Sequence, residues 1–558
     1  MNSHRNLATL LTRPAATFGL LGSLAALVAC SVAPTSADGG ESVGSDSASI
    51  LSTACVVDGS GNLALSIADG EVAYIGKQAG CTTEPCVFAN AQSAGGTLCR
   101  INSTGKTITV TRAGSAGAEK LVLDYTNGLF AAATTTTPLV SVTLDAGSKL
   151  AVMPPVAGGN MALGVNGLDI NALSARNTPR IDVTMTGFTS FEFDGNAGPD
   201  VFTGDPAGWT TAPKGWATAA ALTAVLGAAT ASTLTVSGGA GDDILAGGAA
   251  AIANNLVNGG PGNDTFLEGV IAHASAMDGG DGIDTADYSM RTVDLTVSLD
   301  ATANDGASGE NDNVGDSVEI IKGGSGNDQL SAAATLLTDV VLIGNAGNDK
   351  LTGGGGNDDL CGGVGDDTLV DNLGNDMLVG STGADVADYS AGTGNKVCLR
   401  SADATCAAQN GATGELDVIN NVATKHVCPR ATLNIDVGGT PAVVTVPTTM
   451  QGGAMAVDVE NITGNPTSAN ILHCGTLPCT LFGGTGDDTL WGYTAADTIF
   501  GLGGDDTVAT NGGADLVDLT HAGSANTPTI DCHSDNVTVL LETGDTASQT
   551  ACSNAVIP

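Results

Sequence analysis

The stretch "GGGGNDDLCGGVGDDTLV", residues 353 to 370, is one nine-residue phrase written twice. It runs Gly-Gly, any residue, Gly, a polar residue, Asp, any residue, an apolar residue, any residue. Asp358 and Asp367 hold the sixth place, and Leu360 and Leu369 the eighth. From residue 344 the period continues through "GNAGNDKLT", "GGGGNDDLC", "GGVGDDTLV", "DNLGNDMLV" and "GSTGADVAD", whose sixth-place acids are Asp349, Asp358, Asp367, Asp376 and Asp385. A second run from 483 reads "GGTGDDTLW", "GYTAADTIF", "GLGGDDTVA" and "TNGGADLVD", with Asp488, Asp497, Asp506 and Asp515. Isolated units upstream carry Asp200, Asp243, Asp264, Asp284 and Asp328. A repeat this short cannot enclose a core alone, so it must stack on copies of itself.

Each place in the phrase has a physical use. Glycines at the first, second and fourth places tolerate positive φ and let backbone carbonyls crowd together. Six residues then make a turn, and the last three make a short strand whose central, eighth-place side chain alone points inward. The units resemble the RTX, or haemolysin-type, calcium-binding nonapeptide repeat, written GGxGxDxUx with U apolar. That resemblance implies an all-β fold of parallel β-roll or β-solenoid segments with calcium-binding turns, two units closing one coil. Asp358 would then stack on Asp376, and Asp349, Asp367 and Asp385 along the opposite edge.

Stacked acids about 4.8 Å apart repel by about 3 kcal/mol at an effective dielectric near 20. One buried eighth-place residue returns about 2 kcal/mol. A divalent cation between coils reverses the balance, and calcium accepts many oxygens in loose geometry. The expected ligands are Asp243, Asp264, Asp284, Asp328, Asp349, Asp358, Asp367, Asp376, Asp385, Asp488, Asp497, Asp506 and Asp515. Three units depart from the pattern: "GYTAADTIF" has Ala495 at the fourth place, "DNLGNDMLV" lacks both leading glycines, and "GSTGADVAD" buries only Ala387.

Composition agrees with thin layers. Aromatic residues are 3%, too few to fill a wide core, and Gly contributes 79 of 558 residues. Asp and Glu number 59 against 18 Lys and Arg, a formal charge of −41, which repels nucleic acid and attracts cations. No nucleic-acid partner is expected.

The chain opens with a weakly positive "MNSHRNLATLLTR" and an apolar "AATFGLLGSLAALVA" ending at Cys30. Leu27-Val28-Ala29-Cys30 resembles the lipobox of bacterial lipoproteins, in which that cysteine becomes the lipidated first residue. Residues 1–29 are therefore read as a lipoprotein signal peptide and 30–48 as a flexible tether. Membrane contact would be by the lipid anchor only. Thirteen cysteines less Cys30 leave an even twelve, which in an exported chain reads as disulfides. Cys474 and Cys479 are close enough for a local bridge. A zinc site at His473, Cys474 and Cys479 lacks a second half.

Residues 49–187 alternate at strand period and read as an N-terminal disulfide-bonded β domain, either a sandwich or an irregular solenoid start. The RTX modules with a β insert span 188–390, and each array follows a lead-in such as "DSVEIIKGGSGND" or "DVENITGNP". A disulfide-stapled β insertion, with β-hairpin excursions, takes 391–463. The second array covers 464–521, and 522–558 reads as a C-terminal β cap. The acidic stretch "NDGASGENDN" (304–313) lacks the glycine spacing of an EF-hand and reads first as a solvated loop, with a further ion-holding loop as the alternative.

No HExxH pair or GxSxG elbow occurs, and no histidine lies within 49–187. The chain is therefore read as an exported, non-enzymatic calcium-binding protein of the outer envelope or cell exterior. Its role would be structural or adhesive, with a cell-surface or matrix partner. The alternative is a secreted hydrolase or toxin with an unrecognised catalytic domain at 49–187.

Overall fold

A computed structural model describes most of residues 54–204, 233–388 and 461–556, with short strands between 396 and 455. The signal peptide, Cys30 and the tether lie outside the described residues.

Where the nine-residue period is unbroken, strands recur every eighteen residues. Val341–Ala346 pairs in parallel with Asp359–Val364, which pairs with Met377–Thr382. On the other side Lys350–Thr352 pairs with Thr368–Val370, then with Val386–Asp388. The register matches eighth place to eighth place: Leu342 opposes Leu360, and Leu360 opposes Leu378. Leu330, Leu351, Leu369 and Ala387 make the facing ladder. These seven side chains are fully buried. The second array repeats the scheme with Leu481, Ile499 and Val517 on one side and Leu472, Leu490 and Val508 on the other. Its three-residue strands are half-buried or exposed, buried, half-buried, as period-2 geometry requires. The fold is all-β and parallel, and no helix occurs among the described residues.

The stack does not stop at residue 187. Val72–Gly76, Lys120–Asp124, Lys149–Met153, Ser190–Asp194 and Thr233–Ser237 pair in parallel, one after another. Within 54–186 these parallel strands extend the stack, while Ala54–Val57, Cys86–Ala89, Thr97–Arg100 and Gly167–Ala172 pair antiparallel beside it. These coils are filled by larger side chains, among them Phe191, Phe193 and Phe202, with Phe193 and Phe202 ring centroids 4.9 Å apart. Beyond 522, Thr529–Asp531, Thr538–Leu540, Ser548–Thr550 and Asn554–Val556 continue both sheets as further coils. In the 391–463 insertion, Thr432–Val437 and Thr440–Thr445 form an antiparallel hairpin. The bridging of Cys406 and Cys428 falls outside the described residues.

Leu295–Leu299 pairs antiparallel with Gly306–Ala307 but in parallel with Gln329–Ala332, and so begins one face of the first array.

The eighth-place ladder is the main apolar cohesion of the arrays. Leu360→Ala is expected to cost about 3 kcal/mol, because coils above and below hold the gap open. Urea unfolding in saturating calcium measures it. A loss below about 1 kcal/mol would mean that Leu360 is not a ladder residue.

Candidate metal centre

The turns bring the sixth-place acids together from different coils. The Asp349 N–H donates to Asp367 Oδ1 at 2.8 Å, and the Asp367 N–H to Asp385 Oδ1 at 2.9 Å. On the opposite edge the Asp358 N–H donates to Asp376 Oδ1 at 2.7 Å. In the second array Asp488 donates to Asp506 at 2.9 Å and Asp497 to Asp515 at 2.8 Å. All of these side chains are buried.

The units isolated in sequence are not isolated in space. The Asp200 N–H donates to Asp243 Oδ1, Asp243 to Asp264 and Asp264 to Asp284, at 2.7, 2.8 and 2.7 Å. Those neighbours are 43, 21 and 20 residues apart in the chain. Asp328 joins the first array through its N–H to Asp349 Oδ1 at 2.7 Å. Asp200, absent from the expected ligands, is a full member of its column. Its "GNAGPD" spacing was the available signal.

One carboxylate oxygen per acid is thereby committed to the neighbouring coil. The other, Oδ2, is buried without a hydrogen-bond partner in Asp200, Asp243, Asp264, Asp284, Asp349, Asp367 and Asp488. Asp328, Asp358 and Asp497 differ: each Oδ2 accepts an N–H of its own turn, from Gly324, Gly354 and Tyr493 at 2.7, 2.6 and 2.8 Å. In "GYTAADTIF" this closed turn coincides with the missing fourth glycine, but Asp328 and Asp358 adopt it with all glycines present.

The first-place glycines correct one expectation. Gly344 and Gly362 do not have positive φ, whereas Gly363 and Gly365 do, at 121° and 136°. The first place needs glycine for room. A Cβ on Gly344 would collide with Asp349 Oδ2 and stand 2.5 Å from the Gly362 carbonyl oxygen of the next coil. A carboxylate oxygen and a carbonyl oxygen therefore face one small space. Hard oxygens of this kind, one left without a donor, fit calcium.

A family description of the RTX calcium-binding nonapeptide repeat, four copies long, matches residues 235–251, 314–334, 341–369, 370–388 and 481–517. The chain carries RTX calcium-binding repeats. No curated protein matches it. The matched residues leave out Asp264 and Asp284, which the fold nevertheless places in one RTX column between Asp243 and the coil beyond.

Burial raises the pKa values of the RTX acids, with neighbouring carboxylates adding to it. Asp200, Asp264 and Asp358 are pushed up to about 8, and Asp243, Asp284 and Asp367 to about 7. Asp328 and Asp488 rise to about 6, and Asp349 and Asp497 are also raised by burial. In each case backbone N–H donors pull the other way without reversing the shift.

A second ladder, at the fifth place of the RTX unit, was not anticipated. The Asn327 N–H donates to Asp294 Oδ1, Asn348 to Asn327, Asp366 to Asn348 and Ala384 to Asp366, all between 2.8 and 3.0 Å. The recurring Asn or Asp before the sixth-place acid was its signal. These short side chains satisfy turn donors that no strand reaches.

The acidic stretch 304–313 is not a solvated loop. Asp305, Glu310 and Asp312 are buried. Asp312 accepts the Ser275 N–H at 2.7 Å and the Tyr288 hydroxyl at 3.0 Å, while Glu310 accepts the His273 N–H at 2.9 Å and Arg291 Nη2 at 2.5 Å. Glu268 lies 3.3 Å from Arg291 Nη2. The hairpin brings Glu310 onto Arg291, whose charge it shares with Glu268, and that contact is invisible at the level of sequence.

Cys474 and Cys479 form the local disulfide, so their sulfurs are not zinc ligands. His473 packs on Trp491 instead, ring centroids 4.2 Å apart. Cys55, Cys361 and Cys532 are disulfide-bonded as well.

Proposed function

We propose that this is an exported, non-enzymatic calcium-binding protein, held to a membrane surface through Cys30, whose solenoid becomes rigid where calcium is abundant. Its role is structural or adhesive. The observation that carries the reading is the buried sixth-place carboxylates of Asp243, Asp264, Asp284, Asp349, Asp367 and Asp488, whose Oδ2 atoms lie toward a carbonyl of the next coil without a hydrogen-bond partner. Asp243, Asp264, Asp284, Asp349, Asp367 and Asp488 would hold the ions through that oxygen. Asp328, Asp358, Asp376, Asp385, Asp497, Asp506 and Asp515 would complete the rows. Calcium supplies the positive charge that lets adjacent acids remain ionised while buried.

Extracellular calcium modules work at about 0.1 to 1 mM, so folding and binding become one event outside the cell and neither occurs in the cytosol. The non-enzymatic reading draws support from the N-terminal strands, which continue the solenoid, and from the histidines, which all lie at residue 273 or beyond once the signal is set aside.

The direct test replaces Asp358, Asp367 and Asp376 together by Ala and counts bound calcium by equilibrium dialysis. The variant is expected to lose about two to four ions, since each acid faces one coil above and one below. An unchanged count would remove these side chains from the ligand set.

A further inference from the structure

The lead-in "DSVEIIK" (316–322) falls within the matched residues 314–334 but lacks the first- and fourth-place glycines of a nonapeptide turn, and its strand Ile320–Lys322 pairs directly with Thr285–Asp287. Asp284 thus meets a coil whose repeat unit has lost its glycines and its aspartate. What stands opposite is Glu319, 5% exposed, whose Oε2 accepts the Asp284 N–H at 2.8 Å. Asp284 Oδ1 makes the same bond to Asp264, and Asp264 Oδ1 makes it to Asp243. A glutamate holds the aspartate's rung.

The backbone accounts for the longer side chain. In the regular columns a Cβ on Gly238 would lie 2.7 Å from the Gly259 carbonyl oxygen, and one on Gly259 would lie 2.6 Å from that of Gly279. On Gly279 it would collide with the Ser317 carbonyl oxygen, so Ser317 takes the first-place position in its coil. The pairings Met277 with Val314 and Thr285 with Ile320 leave five residues, 315–319, where the coil above has seven, 278–284. The extra methylene of Glu319 spans what the missing backbone leaves. The short turn is pinned by Ser317 Oγ, which accepts the Gly279 N–H at 2.9 Å and donates to Asp278 Oδ1 at 2.8 Å.

The same Cβ would also collide with Asp284 Oδ2, an oxygen that is buried and accepts no hydrogen bond. Asp284 Oδ2 and the Ser317 carbonyl oxygen therefore face one point, beside a carboxylate bonded to the Asp284 N–H. We propose that Asp284, Ser317 and Glu319 form a calcium site at this degenerate turn, with Glu319 replacing the sixth-place aspartate. The site rests on the calcium reading of the regular turns and extends their column by one coil.

Equilibrium dialysis of the full chain tests it, with Glu319→Gln made in the wild type and in Asp284→Asn. Glutamine keeps the acceptor for the Asp284 N–H and removes only the charge. The expected result is one ion fewer in the wild-type background and no further loss in Asp284→Asn, where the site is already gone. An unchanged count in Glu319→Gln overturns the proposal, as does an equal loss in both backgrounds. Should Glu319→Gln not order in calcium, Glu319→Asp keeps the charge on a shorter reach. It is expected to weaken one ion about tenfold, and an unaltered titration overturns the site. A wild-type chain that binds no calcium overturns the underlying reading as well, which separates the two failures.

Discussion

Chelating calcium at pH about 8 is expected to abolish most of the β circular-dichroism signal of the arrays, and calcium but not magnesium to restore it. At that pH acids with pKa of about 6 to 7 are largely ionised, and those at about 8 are about half ionised. Each stacked pair then costs about 3 kcal/mol, against about 2 kcal/mol from one eighth-place side chain. Protons should replace calcium in part. These carboxyls have higher pKa values folded than unfolded, where 3.8 applies, so folding favours their protonated form. The metal-free coil is therefore most stable below about pH 4 and loses that stability as pH rises through about 6 to 8. In chelator, acidification from about pH 8 to 5 should recover β signal. With calcium present the dependence inverts: each proton displaced by the ion raises the apparent dissociation constant about tenfold per pH unit below the folded value. Full β signal in chelator at pH about 8, or equal rescue by magnesium, would sink the cation-ordered coil.

The second large effect is steric. Gly365→Ala is expected to destabilise the calcium-saturated chain by about 3 kcal/mol or more, with lower calcium occupancy on that edge. Gly365 has φ of 136°, which an L side chain rarely adopts, and its Cβ would collide with the Gly347 carbonyl oxygen one coil away. Relief requires separating the coils that carry Asp349 and Asp367. Gly59→Ala is the control, because no heavy atom lies within 4 Å of its Cβ; it should stay within about 0.5 kcal/mol of wild type. Urea midpoints in saturating calcium measure both. A Gly365→Ala midpoint matching that of the control would show that the turn can re-form without glycine.

The two glycine roles illustrate how far a repeat pattern reads. That glycine is required at the first and fourth places is plain in "GGVGDD". That Gly362 serves for room and Gly365 for φ is not, because the obstruction at Gly362 is a carboxylate, Asp367 Oδ2, brought round by the turn itself. Asp358 makes the same point. Its unit has every glycine of the pattern, yet its Oδ2 closes onto Gly354 rather than facing the next coil.

What the sequence by itself determined is whatever depends on a constant period. Eighteen residues per coil place Leu360 between Leu342 and Leu378, and Asp367 between Asp349 and Asp385, because equal turns and equal strands return each residue type to the same position one coil on. What only the tertiary structure decided is every contact across an irregular coil: the column Asp200–Asp243–Asp264–Asp284, Glu319 beneath it, and the burial of Asp305 and Asp312 against the solenoid. There the neighbour is chosen by parallel hydrogen-bond register between strands. Register fixes which strands lie side by side but leaves the length of chain between them free, so spacing along the sequence no longer reports distance in space.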